Sequence, residues 1–158
     1  DGERIVGGSA LGFDYATFAA RAPEAAAAMG ALSAAVDASG LPKELSELVK
    51  LRASQVNRCE FCLGFHLSAA RKAGVSQEKI DSLSSWRDAG VFTDRERAAL
   101  VWTEKLTAEV AEGVDDADRA DLLRHFTETE AVFLTVTVGT INQWNRIATG
   151  LRFPSPGA

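Results

Sequence analysis

The side chains best equipped for chemistry lie in one short stretch. Cys59-Glu60-Phe61-Cys62 is a C-x-x-C motif, and His66 follows one helical turn after Cys62. Inside a cell such a pair signals redox or metal chemistry more often than a structural bridge. On a helix turning about 100° per residue, Cys62 lies about 60° and His66 about 20° from Cys59, with Leu63 and Ala70 flanking the same arc. The sulfurs can therefore bridge, and His66 can take a proton from Cys62. Asn57 is a natural helix terminator, which puts Cys59 at the start of the next helix, where free amides and the helix dipole favour a thiolate. Thiolates of C-x-x-C motifs at such positions titrate at roughly 3.5–7.5 instead of about 8.5 and attack disulfides and peroxides. A carboxylate on the preceding helix would orient the imidazole. Glu44 and Glu47 both lie beside Leu48 and Leu51, and spacing does not choose between them.

Two plainer readings compete. The cysteines could be small buried residues on a helix face. A structural zinc site would need Cys59, Cys62, His66 and the distant His125, which suffice only by count. The scarcity of further ligands makes zinc the weakest reading, and no metal is expected.

Helices must hold these residues, and the boundary signals are clear. Pro23 suits a first helical position before an Ala-rich run to about Ala38; Gly40 ends that run and Pro42 opens the next helix. Thr93-Asp94-Arg95-Glu96 has capping-box spacing and begins a helix predicted to reach about Val110. Ser76 suits an N-cap after Gly74, and Asp115 or Asp116 precedes a helix over 117–126. Residues 132–138 carry strand-like chemistry, with Thr135 and Thr137 among valines, yet no turn residue except Gly139 interrupts them. They read as a buried helix. The expected fold is all-α, a single domain of about seven or eight helices over 13–153, with flexible or surface-draped tails at 1–12 and 154–158. Trp86, Trp102 and Trp144 read as core or interface residues. Phe61 and Phe65 are expected to wall the thiol pocket, and residues 142–146 to form a buried polar cap.

Composition narrows the function classes. Of 158 residues, 46% are hydrophobic and 25% charged, the balance of a globular domain rather than of a disordered or fibrous chain. Lys and Arg number 17 against 22 Asp and Glu, a net charge of −5 with no basic cluster, which argues against a nucleic-acid partner. No apolar run approaches the ~20 residues that span a bilayer. Residues 1–12 lack the basic flank and apolar core of a signal peptide, so a soluble, cytoplasmic protein is expected; a first residue of Asp rather than Met leaves a trimmed N-terminus open.

The residues also resemble a known family. Glu47, Cys59-x-x-Cys62-x-x-x-His66, Ala70-Arg71 and Ala73-Gly74-Val75 are similar to the AhpD-like alkylhydroperoxidase core of the carboxymuconolactone decarboxylase superfamily. The likeness continues through Trp86-Arg87, through Phe92 to Leu100, and through Glu104, Thr107 and His125-Phe126 to Ile141-Asn142-Gln143-Trp144-Asn145-Arg146-Ile147. It implies an AhpD-like helical bundle assembling into homo-oligomers, often trimers or hexamers. It also implies a thiol peroxidase and disulfide oxidoreductase in which Cys62 attacks, Cys59 resolves, His66 relays the proton and Glu47, rather than Glu44, is its carboxylate partner. Phe61 departs from the pattern, standing where the best-known alkylhydroperoxidases of the family have a further histidine, which implies a shorter relay.

The resulting expectation is an (alkyl)hydroperoxide reductase that needs no cofactor and is recycled by an external dithiol, lipoyl-type or thioredoxin-like in this family. No Gly-rich loop in dinucleotide context accompanies it. The alternatives are a non-catalytic redox-sensing oligomer and a carboxymuconolactone decarboxylase-like enzyme. Decarboxylases proper lack the cysteine pair, so the thiols favour redox chemistry.

Overall fold

The computed structural model describes residues 12–156. Eight α-helices occupy Tyr15–Arg21 (α1), Pro23–Ala38 (α2), Lys43–Val56 (α3), Glu60–Ala73 (α4), Gln77–Ser82 (α5), Asp94–Thr107 (α6), Asp116–Leu123 (α7) and Glu128–Gly150 (α8), with no strand among the described residues. The fold is all-α, as its helical periodicity predicts.

α3 is the central element and packs against α4, α6 and α8. Its apolar residues divide between two clusters. Leu45 and Val49 join Trp102, Leu134 and Val138 of α6 and α8, whereas Leu48 and Leu51 join Ala70, Leu83, Trp86 and Leu100. A third cluster holds Cys59, Cys62, Ala53, Ile141, Ala148 and Phe153. Each fully buried apolar side chain of this kind contributes about 1.5–3 kcal/mol to folding. A helix apolar on several faces is a core helix, and that centrality sets the positions of the polar groups α3 also carries.

Local chemistry explains the boundaries. Thr93, Asp115 and Thr127 each form a capping box with an acidic residue three places on, and Ser76 accepts from the Lys79 N–H. Residues 132–138 lie within α8, where the hydroxyls of Thr135, Thr137 and Thr140 donate to carbonyls one turn back, satisfying β-branched residues inside a helix. Two ends fall short of their predicted positions. α6 stops at Thr107, followed by a 3-10 turn at Val110–Glu112 that Gly113 closes at φ +85°. α7 stops at Leu123, because the chain must turn so that Phe126 enters the core and the His125 carbonyl accepts from Arg95 at 2.7 Å.

Residues 1–11 of the expected N-terminal tail lie outside the described residues. At the other end, 154–156 run along α4: Ser155 donates to Glu60 at 3.2 Å, and Pro156 occupies the space where a Gly64 side chain would stand.

Candidate active site

The joint between α3 and α4 positions the cysteines. The Cys59 N–H donates to the Ser54 carbonyl at 3.1 Å and the Arg58 N–H to Gln55 at 3.2 Å, a Schellman turn that closes α3. Arg58 takes the left-handed conformation this turn requires, φ 54°, at a cost of roughly 1–2 kcal/mol. Cys59 then serves α4 as its N-cap, with its sulfur accepting from the Cys62 N–H at 3.4 Å. Its backbone is extended, so Cys59 stands off the helical wheel, and only Cys62 and His66 truly share a helix face. The two cysteines are disulfide-bonded, their Cα atoms 5.3 Å apart, and each is only 3% exposed.

Glu47 reaches the same region from α3. Its side chain is 2% exposed, and its two oxygens have separate partners. Oε2 accepts from His66 Nδ1 at 2.9 Å, while Oε1 meets Lys50 Nζ at 3.1 Å and Lys43 Nζ at 3.3 Å. Burial pushes the Glu47 carboxyl up, but the His66 hydrogen bond and the Lys50 charge outweigh it and hold the group down at about 2. Glu47 is therefore an anion and can only accept, so Nδ1 of His66 carries the hydrogen and Nε2 is the nitrogen left to act as a base. Glu44, the other carboxylate the spacing allows, is exposed and lies against Gly74, away from the imidazole.

Around the disulfide the walls are aromatic on one side and polar on the other. Phe61 meets Phe153 edge-on at 5.1 Å, and Phe153 belongs to the cysteine cluster. Phe65 stacks on Phe61 at 6.5 Å and meets the His66 ring edge-on at 5.0 Å, but it is 57% exposed, the outer layer of the wall rather than its lining. On the polar side, Asn57 donates to Asn142 at 2.9 Å and to Asn145 at 2.8 Å, and Asn145 donates to Ser54 at 3.0 Å. Asn142 also reaches Thr107 at 3.0 Å, so Asn142 and Asn145 tie α8 to the ends of α3 and α6; the expected buried polar cap over 142–146 narrows to these two amides, since Gln143 and Arg146 are exposed.

A second buried carboxylate stands apart. Glu104 of α6 accepts from Trp86 Nε1 at 2.8 Å and Arg52 Nε at 2.8 Å, and pairs with Arg87 at 2.6 Å. Burial raises its carboxyl, and the Trp86 and Arg52 hydrogen bonds more than reverse this. His125, the distant member of the zinc reading, lines a separate cleft of about 350 Å³ between α6 and α7. Among the described residues no group of three or more His, Cys, Asp or Glu could hold a metal ion.

The structure thus brings Cys59, Cys62, His66 and Glu47 together. Sequence reasoning missed Lys50 and Lys43, although their signal is present: with Glu47 they fall at i−4 and i+3 on one face of α3.

An all-helical scaffold that buries a C-x-x-C disulfide beside a His–Glu pair defines the class. The chain belongs to the carboxymuconolactone decarboxylase family, whose pattern matches residues 23–105, and it is AhpD-like within that superfamily. It is 33% identical over 127 residues to the uncharacterized protein YdfG of Bacillus subtilis (strain 168), a match covering 80% of this chain and 86% of that one. The uncharacterized protein YnjA of Escherichia coli (strain K12) is 32% identical over 120 residues, 75% of this chain and 65% of that one. Among solved structures, a protein of unknown function from Agrobacterium tumefaciens, described as a candidate antioxidant defence protein AhpD, superposes with a TM-score of 0.83 at 40% identity, covering 89% of this chain and 97% of that one.

Proposed function

We propose that the protein is a thiol-dependent hydroperoxide reductase. The observation that carries this reading is the redox pair with a base tied to a buried anion: Cys62 one turn before His66, whose Nδ1 is held by Glu47 at 2.9 Å. In the reduced protein, Nε2 of His66 takes the Cys62 proton, and the thiolate attacks the terminal oxygen of a hydroperoxide. The O–O bond breaks, an S–O bond forms, and the leaving alkoxide receives the proton as an alcohol. Cys62 becomes a sulfenic acid. The Cys59 thiol then displaces water from it, forming the disulfide present here. An external dithiol, lipoyl-type or thioredoxin-like, restores both thiols by exchange and leaves as a disulfide. No cofactor enters the cycle.

This reading extends to a cytoplasmic homo-oligomer, trimeric or hexameric, as the resemblance implies. No helix among the described residues is long and apolar enough to cross a membrane. A second reading, a redox sensor that reacts once, is favoured by the 3% exposure of both cysteines, which limits access by a recycling partner.

Dithiol-driven peroxide consumption by three proteins separates the readings. The wild type should cycle. Cys62→Ser should consume no peroxide, and Cys59→Ser should react once and then overoxidise. Full turnover by Cys62→Ser would remove its assignment as the attacking thiol, and a single wild-type event with every dithiol supplied would favour the sensor.

A further inference from the structure

A buried carboxylate whose one partner is an imidazole has two ways to hold a proton. It can remain an anion beside an imidazolium, or take the proton and leave two neutral groups. Burial favours the neutral arrangement, because separated charges are costly in a medium of low polarity. At this site a third group tips the balance. Lys50 is only 9% exposed, and its ammonium lies 3.1 Å from Glu47 Oε1, the oxygen His66 does not use.

We propose that Lys50 is a positioning residue of the redox site: by occupying Oε1 it keeps Glu47 a fixed anion, so that a proton leaving Cys62 comes to rest on His66 and goes no further. The inference rests on the peroxidase reading for the origin of that proton, while the control of Glu47 by Lys50 stands independently. Lys50 touches neither sulfur nor substrate in this role and acts only through Glu47.

The surroundings of Glu47 leave Lys50 as its principal buried cation. Lys43 also approaches Oε1, at 3.3 Å, but its side chain is 46% exposed and is shared with Asp37 of α2 at 2.9 Å. From α4 the facing group is His66. Glu104 of α6 is engaged by Arg52, Arg87 and Trp86. The groups α8 presents to the end of α3 are the neutral amides of Asn142 and Asn145. A desolvated ammonium beside a desolvated carboxylate perturbs proton affinity far more than an exposed pair does.

The consequence is a division of labour. His66 is the proton carrier, donating from Nδ1 to Glu47 throughout and gaining and losing a proton at Nε2. Glu47 holds the ring and stabilises the imidazolium without itself taking the proton.

The test uses the full chain with Lys50→Met, with Lys50→Gln as a second charge-free variant, and with Lys50→Arg as the conservative one. Carboxyl-carbon NMR of Glu47 in the disulfide form follows its titration. The pH dependence of thiol alkylation in the reduced form follows the relay. The proposal expects Glu47 of the wild type and of Lys50→Arg to stay ionised down to about pH 2. Removing the charge should raise the Glu47 proton affinity about tenfold or more, a shift of at least about one pH unit, and should displace the alkylation profile. A role confined to packing would lower Tm and move neither titration, and charge-free variants with the wild-type Glu47 titration would overturn the proposal. The Glu47 titration needs no peroxide, so a chain that consumes none while showing this shift would sink the peroxidase reading and leave the Lys50–Glu47 coupling in place.

Discussion

Glu47 and Glu104 are both buried glutamates on core helices, and in both the carboxyl is held below its ordinary range against the opposing effect of burial. Their partners differ in kind. Glu104 is bound by an indole and two guanidiniums, donors that keep their hydrogens at any pH a folded protein meets. Glu47 is bound at Oε1 by the ammoniums of Lys50 and Lys43 and at Oε2 by an imidazole, a ring with a second nitrogen free to take or give a proton, one turn of α4 from a cysteine of the disulfide. A clamp and, on the proposed function, a relay are thus built from the same residue type, both buried. The partner's ability to release a proton decides which is which.

The contrast can be broken by removing charge while keeping shape. Glu47→Gln leaves an amide that cannot stabilise an imidazolium, and the rate of peroxide consumption should fall roughly 100-fold, within the range that positioned acid–base groups supply. Steady-state kinetics at fixed dithiol reads this, and an unchanged rate would reduce Glu47 to a packing group. Glu104→Gln should act on stability instead. It leaves the Arg52 guanidinium with Gln55 but no carboxylate, so unfolding free energy in urea should drop by roughly 3 kcal/mol, while turnover per folded molecule keeps the wild-type pH profile. A shifted profile would erase the distinction.

Acid sharpens the same comparison. Because the Glu47 carboxyl is depressed to about 2 from 4.5, its contribution to stability is fully present above pH 4.5 and is lost as pH falls through about 2. The full contribution is on the order of 3 kcal/mol. Acid unfolding of Glu47→Gln should lack this component, as the difference between its urea midpoints and those of the wild type across that window would show.

The smallest effect should come from Gly64→Ala. The new methyl would meet Pro156 at 2.9 Å and push the C-terminal segment off α4, beside the buried disulfide. Reduction by dithiothreitol should accelerate about two- to fivefold with a stability change of about 1 kcal/mol or less. Unchanged reduction kinetics would show that the segment does not limit access.

Much of this was legible in the residues because spacing encodes direction. Cys62 and His66 lie one turn apart on a helix whose limits Asn57 and Gly74 announce, and the strand-like residues 132–138 were helical because their hydroxyls bond within α8. Glu47 is less legible: helical spacing admits Glu44 equally, family resemblance favours Glu47, and it is Glu47 that lies 2.9 Å from His66. Other features depend on neighbours remote in the chain. The burial of Lys50, 9% exposed, follows from the central place of α3 in the packing and not from its residue type. Arg58 gives no sign of a left-handed turn, a position usually marked by glycine, because its strain is imposed by the Schellman closure. Phe65 sits within a turn of Cys62 and stacks on Phe61 at 6.5 Å, with Phe61 between it and Phe153, so Phe65 forms the outer, exposed layer of the aromatic wall.

The proposed cycle takes Cys59 and Cys62 between dithiol and disulfide at the expense of a hydroperoxide. Its most direct test is a count of free thiols in the reduced protein before and after one equivalent of an organic hydroperoxide, followed by dithiol on the same sample. Loss of two thiols per chain, their return with dithiol, and sustained peroxide consumption thereafter are the predicted result. Retention of both thiols after the hydroperoxide would contradict it.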